Sequence, residues 1–190
     1  TIVFLAGYGG MISLAQVTVA GVAGYSVAYF GINNVGVGIL LPWPVGVLIG
    51  LSLGTFAGFL IGLISVRTQG IYMLMITLAL SVVFFYFARQ NYTFFNGFTG
   101  FNGVLAPVVG GVDLRGPVVF YYLCLVTAGL SYGFVKYIER SPFGLALQGI
   151  RDNERRMRAL GYWVGFHRVA AFTLMGLMAS FAGILMVWYN

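Results

Sequence analysis

Long apolar stretches with almost no charge alternate with short polar clusters along this 190-residue chain, and a single charged block interrupts them. Thr1 to Ala6 has the pattern of a helix tail, broken by Gly7, Gly9 and Gly10 around Tyr8. A second helix is predicted from about Met11 to Phe30. Asn33, Asn34 and neighbouring glycines predict a turn between Gly31 and Leu41. Pro42 and Pro44 then open a span ending near Ile64, since proline suits a first helical turn, where its missing N–H would lack a partner anyway. The link S-V-R-T-Q-G holds Arg67, and the next span runs from about Ile71 to Ala88, closed by Arg89. Gln90 to Gly116 is rich in Gly, Asn and aromatic residues. Within it, N-G-F-T-G-F-N-G from Asn96 to Gly103 repeats turn signals, which predicts an ordered loop over 89–116 and no span. Pro117 opens a span to about Tyr137, and a last span is predicted from Val169 to Trp188. Tyr86, Tyr92, Tyr121, Tyr122, Trp188 and Tyr189 fall at span ends, as interfacial aromatic belts require. The chain starts inside an apolar stretch without Met or a signal-peptide n-region and stops just after a span, the pattern expected of a piece of a longer subunit.

Nine of the fourteen charged residues lie between Lys136 and Arg158. An arginine or lysine at a bilayer centre costs roughly 2.5–3.5 kcal/mol. Lys136, Arg140, Arg151, Arg155, Arg156 and Arg158 therefore place this block in water. Composition fixes the class: 60% of residues are hydrophobic and 7% charged, against roughly 25% charged in an ordinary soluble domain. The first 66 residues carry no charge, as adjacent spans require and a soluble core does not. The expected fold is an all-α, polytopic transmembrane helical bundle, a single domain over 1–190 with about five spans. The net charge of +6 comes largely from one loop and reports orientation, with no call for a nucleic-acid partner. Arg67, Lys136, Arg140, Arg151, Arg155, Arg156, Arg158 and Arg168 fall on one side of the spans, Arg89 and Arg115 on the other. The richer side is cytoplasmic, which puts 138–167 in the cytoplasm and both 89–116 and the Gly31 to Leu41 turn outside. Cys124 stands alone, so the chain holds no disulfide or metal framework.

No predicted span carries an internal acid or base for proton relay, metal binding or voltage sensing. The polar residues left are Ser13, Gln16 and Thr18 after the glycine break, with Thr77 and Ser81. A broken helix frees backbone N–H and C=O groups at membrane depth, which is tolerated where they face protein or a water-filled route. Two readings stand: a polar helix-packing cluster, or the lining, together with Gly7, Tyr8, Gly9 and Gly10, of a path for a small uncharged or zwitterionic solute. Gly46, Gly50, Gly54, Gly58 and Gly62 recur every four residues and trace one groove along the Pro42 span. Small residues at that interval let helix backbones meet in lipid, either as a fixed seam or as a sliding surface. Ala20, Gly24 and Ala28 show a weaker version.

The charged block has its own helical logic. Ser141 suits a cap, Pro142 a first turn, and Phe143, Leu147, Ile150, Glu154 and Met157 fall on one stripe. Asp152 with Arg156, and Glu154 with Arg158, are four apart with the acid first, the favoured order. A solvated or lipid-lying helix would explain the pattern. So would an apolar ridge of Phe143, Leu147 and Ile150 inserted in a groove on a cytoplasmic partner.

The run S-P-F-G-L-A-L-Q-G-I-R-D-N-E-R-R-M-R-A-L-G from Ser141 to Gly161, followed by H-R-V-A-A-F from His167, resembles the cytoplasmic loop of permeases of branched-chain amino acid ABC importers. G-Y-G-G-M-I-S-L-A-Q at Gly7, R-T-Q-G-I-Y-M-L-M-I-T-L-A at Arg67 and T-G-F-N-G at Thr99 resemble the same family, in its order. The resemblance implies a multi-pass subunit of the bacterial plasma (inner) membrane. Its implied partners are a second permease, two cytoplasmic ATP-binding subunits carrying ATP and Mg, and a periplasmic or lipid-anchored solute-binding protein. It also implies that Ser141 to Gly161 holds the helix docked on an ATPase, with Gly144, Arg151, Asn153, Glu154 and Gly161 matching the family pattern. The chain departs from that pattern at Ile12, Ala15 and Gln16, where Gln, Gly and His are common, and at Leu145, where a basic residue is common.

The residues support this division of labour. A P-loop needs G-x-x-x-x-G-K-[ST], yet the only lysine, Lys136, follows G-F-V. No cofactor is expected on this chain, and no enzymatic activity. His167 has no acidic neighbour or second histidine nearby and reads as a packed or interfacial side chain. Branched-chain amino acids are the expected substrates, with urea, short amides or aromatic acids as alternatives. A secondary transporter or channel would ordinarily show an ion-coupling residue or charged filter, and a membrane anchor or signalling subunit would need no polar broken helix.

Overall fold

The computed structural model describes residues 1–31, 41–68, 70–97, 101, 104, 108–109, 112–113 and 116–189. The turn expected between Gly31 and Leu41, most of the T-G-F-N-G motif, and Arg115 lie outside them. The helices are α1 (Ile2–Gly9), α2 (Ala15–Phe30), α3 (Trp43–Ser65), α4 (Ile71–Gln90), α5 (Tyr92–Phe95), α6 (Pro117–Arg140), α7 (Pro142–Asp152), α8 (Glu154–Ala159) and α9 (Val164–Tyr189). Between α5 and α6, β1 (Val108–Val109) and β2 (Val112–Asp113) form a small antiparallel pair, Val108 opposite Asp113. The fold is a helical membrane bundle.

Among the described residues four helices are long and apolar enough to cross a bilayer: α3, α4, α6 and α9. The expected fifth span is shorter than predicted. Its 16 residues measure about 24 Å at ~1.5 Å per residue, less than the roughly 30 Å hydrocarbon core. The break lies later than the glycine pattern suggested, because Gly7 and Gly9 are accommodated within α1. Gly10 takes the left-handed conformation (φ 63), and the Met11 N–H turns back to the Leu5 carbonyl at 2.9 Å. Met11 to Leu14 therefore stay outside α2, whose first turn is met by Ser13 Oγ accepting from the Ala15 N–H at 3.3 Å.

The core is the packing of α2, α3 and α9 along small residues. All five α3 glycines are buried. A Cβ added to Gly58 would lie 3.0 Å from Gly176 Cα, and one added to Gly50 would lie 2.6 Å from Val27 Cγ2 and 3.1 Å from the Ala23 carbonyl. On the other side of α9, a Cβ on Gly183 would meet the Ala20 backbone, 2.8 Å from its Cα, and one on Gly24 would meet Val187. The groove is a seam between backbones, and Gly176, Ser180 and Gly183 of α9 complete it. These pairings set direction: α2 and α9 run the same way and α3 runs against both. This agrees with the charge count, which expects α2 and α9 to start on the same side of the membrane.

Outside that trio packing thins. Ile138 is the one buried residue of α6. At the opposite end Tyr25 of α2 meets Phe95 edge-on, ring centres 5.2 Å apart, and Phe95 also meets Phe84 and Phe87 of α4. This aromatic cluster ties α5 to the bundle. In a Cys124→Ser background, Arg155→Cys should react with an impermeant thiol reagent from the cytoplasm and Tyr92→Cys from outside. Reaction of both from one face would overturn the arrangement.

Candidate coupling segment and translocation path

The α6–α7 corner is built as its residues predict. Ser141 Oγ accepts from the Gly144 N–H at 3.3 Å and donates to the Ile138 carbonyl at 2.6 Å. Pro142 occupies the first turn of α7. The fold-back is so tight that a Cβ on Gly144 would lie 2.7 Å from the Glu139 carbonyl oxygen.

The apolar ridge does not face outward. Leu147 is 0% exposed and Ile150 2% exposed. Leu147 packs in one cluster with Phe4, Leu5, Met11, Met73 and Phe172. Phe143 is half-buried and stacks on His167, with ring centres 5.7 Å apart and planes 14° apart. The groove that receives this ridge belongs to the chain itself, formed by α1 and the N-terminal half of α9. Sequence could give the spacing of the ridge but not the position of α1 against it. His167 is a packed side chain as expected, its Nδ1 2.9 Å from the Trp163 carbonyl.

The stripe also does not continue to Glu154 and Met157 as one helix. Asn153 is extended (φ −156, ψ 94) and its side-chain oxygen accepts from the Arg156 N–H at 3.0 Å, so it ends α7 and caps α8. A short polar side chain before an acidic first turn was the available signal. The break separates Asp152 from Arg156; Asp152 pairs with Arg151 at 2.9 Å. The Glu154–Arg158 pair forms as predicted. The other oxygen of Glu154 receives Arg168 Nη2 at 2.8 Å, with both side chains largely buried. This link fastens α8 to α9, and no periodicity announces it. Gly161 closes α8 in the left-handed region (φ 87), with its N–H on the Arg158 carbonyl at 3.0 Å.

The eight path residues do not line one surface. Gly7, Tyr8 and Gly10 meet the charged segment. Arg151 Nη1 donates to the Gly7 carbonyl, a Cβ on Gly10 would lie 2.7 Å from Arg151 Cγ, and Tyr8 lies beside Glu139, which pairs with Lys136 at 2.9 Å. Gly9 is buried against Met11. Ser13, Gln16 and Thr77 are buried. Thr77 donates to the Leu74 carbonyl at 3.1 Å, whereas Gln16 Oε1 has no partner among the described residues. Ser81 alone of the eight lines the cavity between α2 and α4, which also takes in Thr18. Among the described residues no three His, Cys, Asp or Glu side chains converge on a metal site.

The whole of residues 1–190 matches the family described as branched-chain amino acid transport system / permease component. The chain belongs to that family. This permease chain is 28% identical over 182 residues to the probable branched-chain amino acid transport permease protein LivM of Methanocaldococcus jannaschii, covering 89% of the chain and 50% of the relative. It is 25% identical over 202 residues to the high-affinity branched-chain amino acid transport system permease proteins LivM of Escherichia coli K12 and Salmonella typhimurium LT2, covering 94% of the chain and 44% of each relative. The permease chain thus spans about half the length of these curated relatives. No solved structure matches it. Family and apolar helices together make it a multi-pass membrane protein of that permease family.

Proposed function

We propose that this chain forms part of the permease subunit of an ATP-driven importer for hydrophobic, branched-chain amino acids in the bacterial inner membrane. It pairs with a second permease and takes solute from a periplasmic or lipid-anchored binding protein. Two cytoplasmic subunits hold ATP and Mg and do the hydrolysis. The supporting observation is the double fastening of the cytoplasmic helices. Arg151 joins α7 to the end of α1, and Glu154 joins α8 to α9. A displacement imposed on this segment from the cytoplasm is delivered to α1 and α9 without slack. Phe143, Gly144, Leu147 and Ile150 form the inner, fixed side of the lever, and Asn153 and Gly161 shape its bends. Leu145, Asp152, Arg155 and Arg156 stand on the exposed side, where an ATPase docks. Solute passes beside α2 and α4, with Ser81 on its route.

In vesicles holding the full complex, Leu145→Glu, and separately Arg155→Glu with Arg156→Glu, should leave yield and permease pairing unchanged. Uptake and substrate-stimulated ATP hydrolysis should fall roughly tenfold or more, because misplaced charge at a docking face costs several kcal/mol. Wild-type uptake by both variants overturns the docking face. Uptake without nucleotide would replace the importer with a secondary transporter or channel.

A further inference from the structure

A cavity of about 600 Å³ opens between α2 and α4, within the size range of small-molecule sites. Its wall combines three kinds of group. Phe84 and Phe85 of α4 supply apolar surface, Thr18 and Tyr25 of α2 with Ser81 of α4 supply hydroxyls, and Arg89 in the last turn of α4 supplies a cation. Among the described lining residues Arg89 is the single ionised side chain. Its guanidinium carbon lies 5.8 Å from the centre of the Phe85 ring, which holds charge and apolar wall side by side. Five N–H donors in a planar fork let a guanidinium keep a protein partner and still accept a carboxylate. Ser81 Oγ already donates its hydrogen to the Thr77 carbonyl at 2.8 Å, so what it offers a further partner is a lone pair, the complement of an ammonium group.

A cation, hydroxyl acceptors and an aromatic wall in one cavity are the complements of the three parts of a hydrophobic amino acid. We propose that this cavity binds such a solute, with its carboxylate on Arg89, its ammonium among the Thr18 and Ser81 oxygens and its side chain against Phe84 and Phe85. The assignment rests on the importer function proposed above and names the place where the solute is held. An arginine that only snorkels to lipid headgroups from a helix end would give the cavity no preference for a soluble anion.

The test uses the full-length subunit assembled with its partner permease in vesicles, in a Cys124→Ser background. Thr18→Cys is labelled with two thiosulfonate reagents of similar size, one carrying a sulfonate and one a trimethylammonium. Ser81→Cys serves as a second position should the first fail to assemble. The sulfonate should react about tenfold faster, the scale of local electrostatic steering. Millimolar leucine should slow labelling, whereas leucinamide and isopentylamine, which lack the carboxylate, should not. Arg89→Gln should abolish both effects and Arg89→Lys should keep part of the charge preference. Equal rates for the two reagents, absence of labelling at both positions, or a preference that survives Arg89→Gln overturns the site. ATP-dependent leucine uptake by vesicles of the Cys124→Ser complex with Thr18, Ser81 and Arg89 intact separates the two claims. Uptake with an unselective cavity removes this site alone, and a selective cavity without uptake removes the importer function.

Discussion

Gly58→Leu is expected to remove most of the folded subunit from the membrane. The neighbour of a Cβ at this position is the Gly176 backbone, at 3.0 Å, with the Phe172 carbonyl at 3.3 Å. Backbone within two long helices has no rotamer through which to yield, so a leucine must push α3 and α9 apart. Overpacking where side chains give way typically costs ~1–3 kcal/mol, and here separation also forfeits the contacts of every glycine along the seam. Gly129→Leu on α6 is the control, since a Cβ there meets nothing within 4 Å. Yield in detergent extracts should fall severely for the first and little for the second. Similar yields for the two would show that the seam is loose.

Glu154→Gln should release α8 from α9. Arg168 is 8% exposed, and removing one partner of a buried pair typically costs ~3–5 kcal/mol because the other charge stays behind. Arg158→Gln breaks only the exposed half of the network, and such pairs are worth ~0.2–1 kcal/mol. Replacing both buried partners, Glu154→Leu with Arg168→Met, should recover much of the loss. Protease sensitivity between Ser141 and Tyr162 in the assembled complex distinguishes these outcomes. A Glu154→Gln segment as resistant as wild type, or a double variant no better than the single, would remove the link from the account of coupling.

The long spans were legible because each is a block whose ends carry chemistry. Pro42, Pro44 and Pro117 start helices, and Arg67 and Arg89 sit just past or inside the ends. The α3 glycines were legible as a groove because small residues at an interval of four let helix backbones meet in lipid. The start of α2 was not, since glycine composition marks Gly7, Gly9 and Gly10 equally while only Gly10 adopts positive φ. The direction of the Phe143 to Ile150 ridge depends on where α1 ends, a contact between residues well apart in the chain. Arg168 with Glu154 belongs to the same class. A charge near a span end reads as a topology signal, and only the neighbouring helix reveals that it also belongs to a buried pair or a cavity wall.

The seam also sets an order of assembly. Its α3 strip is synthesised long before Gly176 and Gly183, which lie in α9. At roughly 5–20 residues per second of synthesis, the α2–α3 hairpin waits on the order of ten seconds before α9 reaches its side of the glycine groove. During that interval the half-made chain presents a backbone-deep slot that any passing small-residue helix fits. Closure of the seam therefore has a defined moment, the arrival of α9, before which Gly58 and Gly62 lack the backbone they pack against.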